Sequence, residues 1–178
     1  MICLMLYRGI GKFIFLHIPR TGGRSFKYIC QKSGLFVKDL NFDQPEVSYD
    51  FDVLMGHFRL EYAEKFGLPI FTIIRHPVDR LISQFFYFQQ KPYLFDQTNT
   101  EKTDDILEFS YRFRNLMVHM IQKPSHIDHY FLMDDLSKYH SKTNISKKKE
   151  ITEKDVQNIE KMNTLDLLFY NWVKDNYK

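Results

Sequence analysis

Between Pro19 and Ser25 the chain reads Pro-Arg-Thr-Gly-Gly-Arg-Ser, so two glycines, two hydroxyls and two guanidinium groups fall within one short segment. Glycine lets backbone N–H groups turn inward, and guanidinium groups add charge-assisted donors, a combination suited to a phosphate-like anion. Arg75 and Ser83 offer a second guanidinium and hydroxyl further along, and His57 lies between the two segments. A neutral imidazole with an ordinary pKa of about 6.5 can take a proton from a hydroxyl near neutral pH. The chemistry implied is the binding of an anion at two points beside a base.

Those residues need elements to hold them. Phe13-Ile-Phe-Leu-His17 is an apolar, β-rich run ending at Pro19, as in a buried strand, and a helix is expected from about Arg24 to Lys32. Residues 34–50 read as a loop, and Phe51-Asp-Val-Leu-Met55 reads as a second strand stopping at Gly56. Pro69-Ile-Phe-Thr-Ile-Ile-Arg75 is the clearest strand, with Pro77 placed to start the next helix. In that helix Val78, Leu81, Ile82, Phe85 and Phe86 repeat at core spacing, while Arg80, Ser83 and Tyr87 form a neighbouring polar stripe.

Beyond it, residues 91–103 are polar and turn-rich, a helix is expected from Asp104 to about His119, and Ile127–Met133 reads as a strand. Ser141–Glu150 is a basic loop. Thr152, with Asp155 three residues on, has the pattern of a helix N-cap, and Val156, Ile159, Met162, Leu165, Phe169 and Trp172 continue it as one amphipathic helix. Strands alternating with helices imply βαβ units and a parallel sheet that binds ligands beyond the strands' carboxyl ends. The fold class expected is α/β, a P-loop-NTPase-like parallel sheet flanked by helices, in a single domain spanning 1–178.

Bulk properties agree with one globular core: 178 residues, 44% hydrophobic and 26% charged, with 17 Phe and 11 Tyr. The formal net charge is only +3, but Arg and Lys cluster around 20–27 and 142–154. Such patches suit a small polyanion, and no nucleic-acid partner is expected. Cys3 and Cys30 form no metal-ligand spacing and no disulfide scaffold, consistent with a reducing compartment. The apolar stretch before Arg8 is too short for a signal sequence or a spanning helix, so a cytoplasmic location is expected.

The residues alone leave the loop open to other uses. It fails the Walker pattern, since Ile18 stands at the first glycine position and Arg24 at the lysine position, which weakens a P-loop-like nucleotide kinase or NTPase without removing it. An ordinary βα turn with surface arginines is the plainest alternative.

Three segments taken in order resemble a known family. Phe15-Leu-His-Ile-Pro-Arg-Thr-Gly-Gly-Arg-Ser-Phe26 is similar to the 5′-phosphosulfate motif of Golgi-type carbohydrate sulfotransferases and their bacterial relatives, F-I-H-I-P-K-T-G-G-T-S. Thr72–Ser83 resembles their 3′-phosphate motif with its R-D-P-x-x-R-x-x-S core, and Leu54-Met-Gly-His-Phe58 resembles the G-H segment carrying the catalytic histidine in the heparan sulfate 2-O- and 6-O-sulfotransferase-like group. The resemblance covers roughly residues 13–88.

It implies transfer of a sulfuryl group from 3′-phosphoadenosine 5′-phosphosulfate (PAPS), leaving 3′,5′-ADP, to an acceptor hydroxyl of a glycan or another hydroxyl compound. It assigns Arg20, Thr21, Gly22, Gly23, Arg24, Ser25 and Phe26 to the 5′ side of PAPS, and Arg75 and Ser83 to the 3′-phosphate. His57 becomes the general base and Arg20 the group that holds the sulfonate, less suited than Lys to act as an acid to the leaving phosphate; by spacing alone, Glu61, four residues on, shares a helical face with His57 if a helix starts early and is a second candidate. His17 is expected to be structural and His76 a turn residue. Asn144–Lys149 resembles the basic segment that closes over the nucleotide in relatives, which assigns Lys147 and Lys148 to the donor. Arg20 stands where the family has Lys, Arg24 where it has Thr, and His76 where it has Asp. A binding module that holds PAPS or another nucleotide without turnover is the remaining alternative.

Overall fold

A computed structural model describes residues 11–40, 50–134 and 151–177. The first strand, β1 (Phe13–Leu16), is buried at every residue, as a strand covered on both faces must be. Helix α1 (Gly23–Lys32) follows the loop, then strands β2 (Val37–Leu40) and β3 (Val53–Gly56), the short helix α2 (Leu60–Glu64), strand β4 (Ile70–Ile74) and helix α3 (Pro77–Gln90). Helices α4 (Tyr93–Gln97), α5 (Ile106–Arg112) and α6 (Leu116–Ile121) lead to strand β5 (His129–Leu132), and α7 (Glu153–Met162) and α8 (Thr164–Asn176) complete the order.

The strands form one parallel sheet in the order β2-β3-β1-β4-β5. Only β1 sends its crossover toward β2; β3 and β4 send theirs the other way. Because such crossovers are right-handed, α1 must cover one face alone. The packing follows that rule. Phe13 and Phe15 meet Phe26 and Cys30 of α1, whereas Ile14 and Leu16 face Leu60 and Ala63 of α2, Met117 of α6 and Phe169 of α8. Strand β1 is thus the switch point of the sheet, and its carboxyl end is where this architecture opens a crevice.

A third apolar cluster lies off the sheet, where Val78, Leu81, Phe85 and Phe88 of α3 pack on Phe95, Phe109 and Ile159. Edge-to-face ring pairs such as Phe85 with Phe109, at 5.4 Å between centroids, account for much of the aromatic content.

Several expectations are corrected. Strand β2 lies inside the stretch read as a loop: it buries only Val37 and Leu40, and the intervening Lys38 and Asp39 conceal its apolar signal. Helix α4 occupies part of the turn-rich segment. The single helix expected over 104–119 is broken at Asn115, which adopts a left-handed φ of 51°. The single C-terminal helix is broken at buried Asn163, whose side chain accepts from Asn115 N–H at 3.0 Å and donates to the Ile159 carbonyl at 2.8 Å. One long-range bond therefore ties the two breaks together. The N-cap of α7 forms as read, with a full capping box between Thr152 and Asp155.

Arg80 is the largest departure. It does not stay off the apolar face with half-buried Ser83 and Tyr87 but is fully buried. It donates to Gln84 Oε1 at 2.7 Å and to the Phe113 carbonyl at 3.1 Å. Burial pulls its pKa down to about 10, against the opposing charge of Asp166.

Candidate active site

Past Leu16 the chain leaves the sheet through His17 and turns at Ile18, which is buried. Thr21 donates its hydroxyl to the Ile18 carbonyl at 2.8 Å and is itself fully buried, so its side chain closes the turn and does not face a ligand. Arg20 and Gly22 both take left-handed backbone conformations, φ 69° and 96°. For a non-glycine residue that region is strained by roughly 1–3 kcal/mol, and such strain concentrates at ligand sites. Gly23 then begins α1 facing the His17 ring, so that a Cβ added there would have to displace that ring. The first turn of α1 carries no acidic residue, and its N–H groups have no helical acceptors.

The second loop meets the first at Arg20. Arg75 Nη1 donates to the Arg20 carbonyl at 3.3 Å, and Arg20 Nε donates to Ser83 Oγ at 3.1 Å. The Arg20 guanidinium also lies over the Tyr87 ring, 4.4 Å from its centroid. Burial lowers the pKa of Arg20, which Tyr87 opposes and Arg75 and Arg24 reinforce; burial likewise lowers that of Arg75, opposed by Asp79 and Asp134. An arginine starts so far above neutrality that both remain cationic. Partly desolvated cations packed this closely favour an anion of more than one charge.

His57 follows the end of β3, beside β1. Its Nδ1 lies 2.6 Å from the His17 carbonyl oxygen, and because a carbonyl only accepts, Nδ1 carries the hydrogen. That leaves Nε2 with a bare lone pair on the far side of the ring. The His57 pKa is lowered by burial, an effect opposed by the bond to the His17 carbonyl and by the charge of Asp39. At neutral pH the imidazole is uncharged and able to accept a proton.

The structure brings Arg20, Gly22, Gly23, Arg75, Ser83 and His57 to one edge of the sheet. Arg24 is exposed and Ser25 half-buried, both on the first turn of α1. Phe26 does not join them: it stacks on Phe15 at 4.0 Å in the core, and its N–H is donated to the Gly22 carbonyl. Glu61 fails to pair with His57, since α2 begins only at Leu60 and Glu61 is exposed. His76 packs edge-on against Tyr170 at 5.2 Å. Lys147 and Lys148 lie outside the described residues.

Two contributors have no assigned role in the sequence reading of the site. Tyr87, on the polar stripe with Ser83, carries the Arg20 guanidinium on its ring. Asp39, ion-paired with Lys27, acts electrostatically on His57 from a strand with too little apolar signal to be recognised.

No family model matches the chain, and no curated protein matches it. Among solved structures it is similar to mouse sulfotransferase SULT7A1 complexed with PAP, at 12% identity and a TM-score of 0.48, over 89% of this chain and 67% of that one. A likeness that slight carries no argument, and the reading of the site rests on the chain's own residues.

Proposed function

We propose that this protein moves a sulfuryl group from PAPS to an acceptor hydroxyl, with His57 as the general base, the whole of 1–178 acting as one sulfotransferase-like domain. The observation that supports it best is Arg20. Its carbonyl accepts from Arg75 and its guanidinium bonds Ser83, so the two anion-competent loops form one cradle beside a neutral histidine.

The residues present fit such a donor. Gly22, Gly23, Arg20 and Arg24 with the N–H groups of α1 suit the 5′ end, and Arg75 and Ser83 suit the 3′-phosphate. PAPS supplies an activated sulfuryl group whose S–O bond to the 5′-phosphate breaks as the acceptor oxygen bonds to sulfur, releasing 3′,5′-ADP. His57 takes the acceptor's proton at Nε2 while the His17 carbonyl holds Nδ1–H, and the resulting imidazolium is stabilised by Asp39. Arg20 keeps its charge throughout, so it stabilises the leaving phosphate electrostatically and donates no proton.

A carbohydrate acceptor is part of the proposal through the resemblance of the three segments. A cytoplasmic location is part of it through the low cysteine count; among the described residues no helix is long and apolar enough to cross a membrane.

Labelled PAPS incubated with a panel of glycans and simple alcohols tests the reaction. Transfer is expected from the wild type and is lost in His57→Ala; donor bound without turnover on any acceptor assigns a binding module instead. Because the base must be unprotonated and its pKa is lowered by burial, activity should rise with pH along a limb centred below about 6.5. A limb centred above that value contradicts His57 as base.

A further inference from the structure

We propose that His17 is a positioning residue for His57, setting the plane of the base with its ring and the tautomer with its carbonyl. The proposal rests on the sulfuryl-transfer reading for its purpose, but its geometry stands by itself.

Alternation along β1 puts Phe13, Phe15 and His17 toward α1. There the rings form a continuous pile: Phe26 on Phe15 at 4.0 Å and 20°, Phe15 with His17 at 5.9 Å and 25°, and His17 on His57 at 4.2 Å and 30°. The pile begins in the core and ends at the imidazole that carries the open lone pair. Gly23 closes in on the Nε2 edge of His17 so tightly that even a methyl group has no space. His17 thus lies between Phe15 and the start of α1, and His57 stacks on its outer face.

One residue then fixes its neighbour at two points. The carbonyl of His17 takes the Nδ1 hydrogen, which determines which nitrogen is free, and the ring determines the plane in which that lone pair lies. A phenyl ring could supply the plane alone, and a backbone carbonyl the tautomer alone; their union in the residue that ends β1 ties the base to the phosphate loop itself. The charged and titratable groups acting on the pair are Arg20 and Arg24 of the loop and α1, Asp39 of β2, and the two histidines. His17, its pKa lowered to about 3 first by burial and then by His57, Arg20 and Arg24, stays neutral throughout the working range and adds no charge beneath the base.

The test is the ¹⁵N–¹H spectrum of the His57 imidazole in the ligand-free protein, for the wild type and for His17→Phe, His17→Leu and His17→Ala. In the wild type and His17→Phe, His57 should hold its hydrogen on Nδ1 and titrate below about 6.5. In His17→Leu, which fills the space without a ring, the carbonyl remains but the imidazole is no longer held in its plane, so it is freed toward the Nε2–H form preferred in water and, with the pKa-raising bond weakened while burial persists, the midpoint moves further down; His17→Ala frees the tautomer in the same way. Identical tautomer and midpoint in His17→Leu and the wild type overturn the proposal, even if His17→Ala fails to fold. Loss of the Nδ1–H form in His17→Phe overturns it as well. No donor or acceptor enters this measurement, so failure here leaves the sulfuryl-transfer reading standing, and failure of that reading leaves this one intact.

Discussion

Arg20 and Arg80 are partly and wholly desolvated cations close to the same helix α3, yet they are held in opposite ways. Arg80 lies between α3, the end of α5 and α8, where Nη1 and Nη2 go to Gln84 and the Phe113 carbonyl and the buried Nε has no partner. Beside it Asp166, its pKa raised by burial, accepts from Met117 N–H at 3.2 Å and Val118 N–H at 2.9 Å. Both charged groups there are bonded to protein groups, with only Arg80 Nε left over. Arg20 instead has one hydroxyl and one aromatic face, both of which a ligand anion can replace with stronger, charge-assisted bonds. A cation closed on acceptors maintains architecture, and a cation resting on a ring beside a strained turn is available for binding.

The contrast can be broken from either side. The largest effect is expected from Asp166→Ala, which strands a buried and a part-buried N–H group and leaves Arg80 without its counter-charge; urea unfolding should show a loss of about 3–5 kcal/mol. Arg75→Ala should reverse the pattern, leaving the unfolding midpoint near wild type while 3′,5′-ADP binding weakens by roughly 10- to 100-fold, as for one charge-assisted hydrogen bond. If Arg75→Ala unfolds the protein as Asp166→Ala does, the two regions are not different in kind. Gly23→Ala sharpens the distinction further, since its methyl group must displace the His17 ring. A loss on the order of 1–3 kcal/mol is expected there, with weakened binding of the nucleotide, because the loop and the ring pile shift together.

Much of the architecture was legible. Strands β1 and β4 are continuous apolar runs ending in Pro or Arg, and Pro77 and Thr152 mark helix starts by chemistry that acts locally. What was hidden depends on distant partners. Nothing local announces that Asn115 starts a new helix and Asn163 separates two, because the bond that joins the two breaks links residues 48 apart. Arg80 and Tyr87 occupy nearly the same angular position on α3, but about 10 Å of helix separates them, and the first is covered where the end of α5 and α8 pack on α3. In the site, Arg20, Arg75, Ser83 and His57 were marked by residue type beside strand ends. The pairing of His57 with Glu61 assumed a helix that starts three residues too late, and the part played by Asp39 required a strand with two buried residues.

The central claim is that the loop after β1 and the turn after β4 together hold a nucleotide with phosphates at both ends. Thermal unfolding in 3′,5′-ADP, in ATP with Mg²⁺, and in buffer measures this without knowledge of the acceptor, because a ligand stabilises the state it binds. A rise in Tm with 3′,5′-ADP that is abolished in Arg75→Ala is the predicted result. A rise with ATP and Mg²⁺ alone, 3′,5′-ADP being without effect, contradicts the account and assigns the loop to a nucleotide kinase or NTPase.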